Sequence, residues 1–161
     1  MELSNLIYKE DLNNGATGPT GTLIEAYASK YNNITDTISL LATTNTPVTL
    51  NTLGLTSNIT GNENNVLVIE QNGIYKIDYF FNGSPSAEAN ITINVTRNNV
   101  TIPSSNITKN ISANKYDSFN GSIITNLASD DVIGLNITSS VAATITPQTN
   151  TNAYLVITRI N

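Results

Sequence analysis

Twelve carboxylates, seven Lys and Arg side chains and many hydroxyls make up the reactive groups of this 161-residue chain. Cys and His are both absent. That removes thiol nucleophiles, Cys/His zinc sites, disulfide frameworks and every triad that needs an imidazole base. Carboxylate chemistry is what remains. A glycosidase would hold two carboxylates about 5 to 9 Å apart across a cleft. Asp130 and Asp131 are adjacent, so on a strand they would point to opposite faces, and in a turn they would simply open the next strand. The second reading, a structural turn, is the simpler. Asp78 stands beside Lys76, and a solvated cross-strand ion pair accounts for both. Asn62, Glu63, Asn64 and Asn65, or Asp130 with Asp131, could offer oxygens to calcium. The dense Asp-x-Asp pattern of a dedicated loop is missing, however, and loop Asn commonly serves turn geometry. The expectation is a non-enzymatic protein with no catalytic residues, no cofactor and no metal.

Charge and composition exclude further classes. Only 12% of residues are charged and the formal net charge is −5, which is unsuited to neutralising phosphates, so no nucleic-acid partner is expected. Aromatics at 6%, with no Trp, offer no stacking platform for sugars or single strands. No run reaches the roughly 18 apolar residues of a membrane helix, so no membrane insertion is expected. The first ten residues lack the basic start and apolar stretch of a secretory signal; the expectation is a start after processing, or a route outside general export. Asn and Thr together supply about three residues in ten. Both are poor helix formers, Thr favours strands, and the exterior they make is polar yet nearly uncharged, as suits a surface-exposed or sugar-decorated protein. They also generate Asn-x-Ser/Thr triplets at Asn33, Asn58, Asn90, Asn94, Asn99, Asn106, Asn110, Asn120 and Asn136, an abundance that composition alone produces.

Three segments follow one another. Residues 1–14 carry Leu3, Leu6 and Ile7 at helical spacing but too few turns to hold alone, which predicts a short helix or a flexible lead-in. Residues 15–21, Gly15-Ala16-Thr17-Gly18-Pro19-Thr20-Gly21, repeat the Gly-X-Y pattern in which only Gly fits a triple-helix axis. So short a stretch reads either as a flexible linker or as a collagen-like stub, and the stub would demand three chains. From residue 22 to 161, short β-like runs alternate with Asn, Gly, Ser and Asp, the rhythm of an all-β sandwich. Predicted strands are 23–30, 37–42, 47–53, 66–70, 74–82, 90–97, 106–113, 119–128, 132–139 and 152–160.

Alternation then assigns faces. Tyr75, Ile77, Tyr79 and Phe81 share the core side of their strand, opposite Lys76 and Asp78. Tyr75, Tyr79, Phe80 and Phe81 are expected to fill core and subunit interface; Tyr27 and Tyr31 are left unassigned. Ile91, Ile93 and Val95 alternate with Thr92, Asn94 and Thr96 as in a half-exposed strand. Residues 154–160 and 66–69 are apolar on both sides and need cover on both, from a partner subunit or from long loops of the same chain. The expected interface residues are Tyr75, Tyr79, Phe81, Tyr154, Val156 and Ile160.

A family resemblance rests on the order of landmarks. Asn72-Gly73-Ile74-Tyr75-Lys76-Ile77-Asp78-Tyr79 resembles the Gly-x-Tyr strand of the complement and tumour-necrosis-factor jelly roll. The run 118–127, the turn at Asp130-Asp131 with the strand after it, and the closing Ala153-Tyr154-Leu155-Val156-Ile157 resemble its later landmarks. A Gly-X-Thr stub leading into such a domain is similar to the bacillus collagen-like glycoproteins of spore-forming Firmicutes, with a vestigial collagen region here. The resemblance implies a ten-stranded antiparallel jelly roll of the tumour-necrosis-factor type that forms a homotrimer and caps a collagen-like stalk. It implies a place on the cell or spore surface, at the exosporium, with surface glycans or other coat proteins as further partners. It also implies O-linked sugar on Thr17 and Thr20. The alternative function is a receptor-binding or adhesive head, as on a phage tail fibre, recognising a surface glycan or protein.

Overall fold

The computed structural model describes residues 24–61 and 65–161. The lead-in, the Gly-X-Y stub with Thr17 and Thr20, and the oxygen-rich positions 62–64 lie outside the described residues. Fourteen strands among the described residues form two sheets, and every ladder between strands is antiparallel. The first sheet holds β1 (Tyr27–Asn32), β2 (Ile38–Leu40), β4 (Thr52–Ser57), β7 (Gly73–Pro85), β11 (Asp117–Leu127), β13 (Ala143–Pro147) and β14 (Ala153–Arg159). Its order is β2-β13-β7-β14-β1-β4, with β11 on the free side of β7. The second holds β3 (Thr46–Pro47), β5 (Ile59–Thr60), β6 (Val66–Ile69), β8 (Ala89–Arg97), β9 (Val100–Thr101), β10 (Ile107–Ile111) and β12 (Val132–Ser139), in the order β10-β8-β12-β6-β5, with β3 on β12 and β9 on β8.

The predicted all-β jelly roll is what the chain folds into, more finely divided than ten strands because β3, β5 and β9 are two-residue pairings. Strand β13 was not predicted; Ala143-Thr144-Ile145-Thr146-Pro147 is short and ends on a proline, which fits only where a ladder stops. Inward residues of both sheets make one core: Tyr75, Ile77, Tyr79 and Phe81 from β7, Ile91, Ile93 and Val95 from β8, Phe119 from β11, Leu155 and Ile157 from β14. Burial of each large side chain contributes about 1.5–3 kcal/mol.

Two polar details lock the core. The Tyr79 hydroxyl donates to the Ser105 carbonyl at 2.6 Å, tying the first sheet to the short 3-10 turn Pro103–Ser105. Its ring fills the place where a Cβ on Gly121 of β11 would sit, so that glycine is required by close approach. Lys30 of β1, only 4% exposed, donates from Nζ to the carbonyls of Gly61 at 2.8 Å and Val66 at 3.4 Å. It thereby ties Gly61 to Val66 from inside.

Candidate assembly interface

The outer face of the first sheet is built by the register of β1, β14, β7 and β11. Tyr31 faces Tyr154, Tyr154 faces Phe80 and Phe80 faces Asn120, which makes one cross-strand row. The next row is Ser29, Val156, Asp78 and Ser122, and the third is Tyr27, Thr158, Lys76 and Ile124. Phe80 and Tyr154 stack with ring centroids 5.3 Å apart at 18°. Small residues in the middle row leave a concavity of about 600 Å³ over Asp78, Asn120, Gly121, Ser122, Tyr154 and Val156. Val156 also borders a second hollow, of about 330 Å³, with Tyr27, Ser29, Leu55 and Thr158. The register shift between Ala28 and Lys30 in the β1–β4 ladder lies alongside this hollow. Leu55 is 80% exposed and Ile124 65%.

One ion pair lies within this apolar face, Lys76 Nζ to Asp78 Oδ2 at 2.9 Å. It runs along one strand, two residues apart, rather than across strands as the sequence suggested. Partial burial would raise the Asp78 carboxyl, but hydrogen bonds from Ser122 and Lys76 and the Lys76 charge outweigh it and hold the pKa below the usual carboxylate value. At the edge, a hydrogen bond from Lys109 does the same for Asp117 against its own burial, helped by the Ser118 N–H and the Lys109 charge.

Of the expected interface residues, Tyr154 and Val156 stand half-buried on this outer face, and Ile160, 46% exposed, follows directly after β14. The rings of Tyr75, Tyr79 and Phe81 turn away from it, although Tyr79 also borders the larger concavity. They are at most 2% exposed inside the chain's own sandwich, because their parity on β7 is inward, and burial raises the hydroxyl pKa of both tyrosines. The outward aromatic residue of that strand is Phe80, whose opposite parity to Tyr79 and Phe81 was the available signal. Tyr27 and Tyr31 join it; Leu55 and Ile124 were missed because each stands alone in a polar run. The second doubly apolar run, β6, lies in the other sheet, where its outer residues Val66 and Val68 are already half-covered within the chain.

The remaining candidates are structural. Asp130 occupies a left-handed turn with φ 69, and Asp131 accepts from Asn98 Nδ2 at 2.7 Å and from the Ala128 N–H at 2.9 Å. Asn65 accepts from the Leu50 N–H at 2.8 Å. No cluster of three His, Cys, Asp or Glu side chains fit to hold a metal occurs among the described residues.

Two antiparallel sheets in this order define a jelly-roll head of the tumour-necrosis-factor and complement type. Murine APRIL at pH 5.0 superposes with a TM-score of 0.63 at 13% identity, over 84% of this chain and 99% of that one. Eiger TNF from S. frugiperda gives 0.65 at 11% identity, over 85% and 93%. The globular domain of zebrafish complement 1qA gives 0.57 at 13%, over 84% and 99%. Within that class the sequence is particular: residues 28–161 match the BclA C-terminal domain, and the chain belongs to that family. No curated protein matches it in sequence.

Proposed function

We propose that this domain is the trimeric head of a collagen-like surface protein, a structural, non-enzymatic element that brings three chains into register and caps their stalk. The carrying observation is the outer face of the first sheet, where Tyr31, Tyr154, Phe80, Val156, Tyr27, Leu55 and Ile124 form an apolar surface with two hollows. A face this rich in exposed aromatic and aliphatic side chains, with its one ion pair already satisfied, marks an interaction site. In a threefold ring the contact is heterologous, so the face of each copy meets a different patch of the next and all three faces are covered. Tyr154, Val156 and Ile160 are the interface residues of this reading. Membership of the BclA C-terminal domain family supports it, as does the Gly-X-Y run at residues 15–21.

On this reading Thr17 and Thr20 carry O-linked sugar and the protein resides at the spore surface, in the exosporium. No helix among the described residues is long and apolar enough to cross a membrane. Light scattering on the full chain and on residues 22–161 tests the assembly: three chain masses for both places the driving force in the head. Intact mass of native material tests the sugar, with added glycan mass expected on the stub.

A further inference from the structure

The Asn-x-Thr triplets have a structural counterpart that the assembly does not use. Along β8, Asn90, Thr92, Asn94 and Thr96 alternate with the core residues Ile91, Ile93 and Val95, so all four lie on the outer side of the second sheet; Asn90 is exposed and Thr92 half-buried, while Asn94 and Thr96 are covered, at 3% exposure each. Thr108 and Asn110 of β10 pair with Thr92 and Asn90, while Asn136 and Thr138 of β12 pair with Asn94 and Thr92. The result is a field of amides and hydroxyls in cross-strand rows. None of these positions carries a charge or an aromatic ring.

Mutual hydrogen bonds fix the rotamers. Thr92 Oγ1 and Thr108 Oγ1 are 2.7 Å apart, and Asn110 Nδ2 donates to Asn90 Oδ1 at 3.1 Å. Asn45 Oδ1 accepts from Thr138 Oγ1 at 3.1 Å and from Asn94 Nδ2 at 3.3 Å. The accessible groups, on Asn90, Thr92, Thr108, Asn110, Asn136 and Thr138, keep further donor or acceptor capacity. The field is therefore pre-ordered rather than a set of freely rotating side chains.

We infer that this face binds a neutral polysaccharide. Strands lie about 4.8 Å apart and alternate residues about 6.7 Å apart, so the groups form a flat lattice suited to an extended partner rather than to a small molecule in a pocket. Amides and hydroxyls donate and accept alike, the same dual character as sugar hydroxyls. The absence of charge gives an ionic polymer nothing to pair with. A protein partner is disfavoured for a different reason: stable protein contacts centre on buried aromatic or Arg anchors, and this face has none. Each hydrogen bond only exchanges with water, so affinity comes from many of them summed along a chain, and a free monosaccharide binds poorly.

The test is retention of the full chain on insoluble cellulose and chitin, with heparin-agarose as the charged comparison. The expected result is retention on at least one neutral polymer, insensitive to high salt and at least tenfold reduced in Thr108→Ala/Asn110→Ala. Both substitutions lie on the exposed edge strand β10, and circular dichroism and solution mass report whether fold and assembly persist. A Thr151→Ala control in the β13–β14 loop should bind like the unchanged chain. No retention on either neutral polymer, equal retention by the double variant, or retention only on heparin would each overturn the inference. The outcome is independent of the assembly reading, because solution mass is measured separately on every variant.

Discussion

The two outer faces of the sandwich are made from the same strand periodicity and come out as opposites. On the first sheet the outward positions of β14 and β7 carry Tyr154, Val156 and Phe80, with one ion pair among them; on the second, those of β8 and β10 carry Asn and Thr, and β12 adds Asn136 and Thr138 beyond Val132 and Gly134. The inward positions of both are mostly Ile, Leu, Val, Tyr, Phe and Ala. A core constrains one side of each strand and leaves the other free. On the proposed reading, the outward half of each strand carries the functional difference, with cohesion on one face and hydration on the other.

The contrast is broken most forcefully by moving charge. Val156→Glu places an unpaired carboxylate in the proposed subunit contact, where its desolvation costs several kcal/mol, and light scattering should read a monomer. Thr92→Glu, the same charge on the opposite face, should leave the mass unchanged. Substitutions in the shared core should lower stability without choosing between faces. Gly121→Val drives a side chain into the Tyr79 ring and should cost about 1–3 kcal/mol by thermal unfolding.

Tyr79→Phe removes the hydrogen bond to the Ser105 carbonyl and leaves that acceptor buried, a loss of about 1–2 kcal/mol. Burial raises the Tyr79 pKa in the folded state, so its contribution is complete below about pH 10 and is lost as pH rises through the folded value. The variant should accordingly show a shallower alkaline decline in stability. The smallest effect concerns acid. Asp78 and Asp117 are held below their ordinary pKa, so their contribution is present above the usual carboxylate range and lost as pH falls through the folded values. Both side chains are substantially exposed, at 35% and 41%, so Asp78→Asn should cost only about 0.5 kcal/mol at neutral pH and flatten the acid limb.

Much of this was legible in the sequence where alternation is strict. The runs around Tyr75 to Phe81 and Ile91 to Val95 display period two, and their inward sides were read correctly. Tyr75, Tyr79 and Phe81, expected at a subunit contact as well, are enclosed in their own sandwich, because an aromatic residue suits a core and an interface equally and only parity separates them; Phe80 is the aromatic of β7 that faces outward. The two doubly apolar runs looked alike as text, yet β14 is central in one sheet and β6 lies toward the edge of the other. Pairing partners decide that, and a single sequence does not display them.

Loop Asn behaved as composition suggested: Asn58, Asn65, Asn98, Asn99, Asn114 and Asn150 hold left-handed turns. The buried Lys30 was invisible for the opposite reason. Nothing in Ala28-Ser29-Lys30-Tyr31 signals that an ammonium turns inward to meet the carbonyls of Gly61 and Val66, more than thirty residues away.

The central claim is that the apolar outer face of the first sheet is covered by copies of the same chain. The most direct measurement is the solution mass of residues 22–161 by size exclusion with light scattering, repeated for Val156→Glu. The account predicts three chain masses for the first and one for the second. A single chain mass for the unchanged domain at micromolar concentration would contradict it.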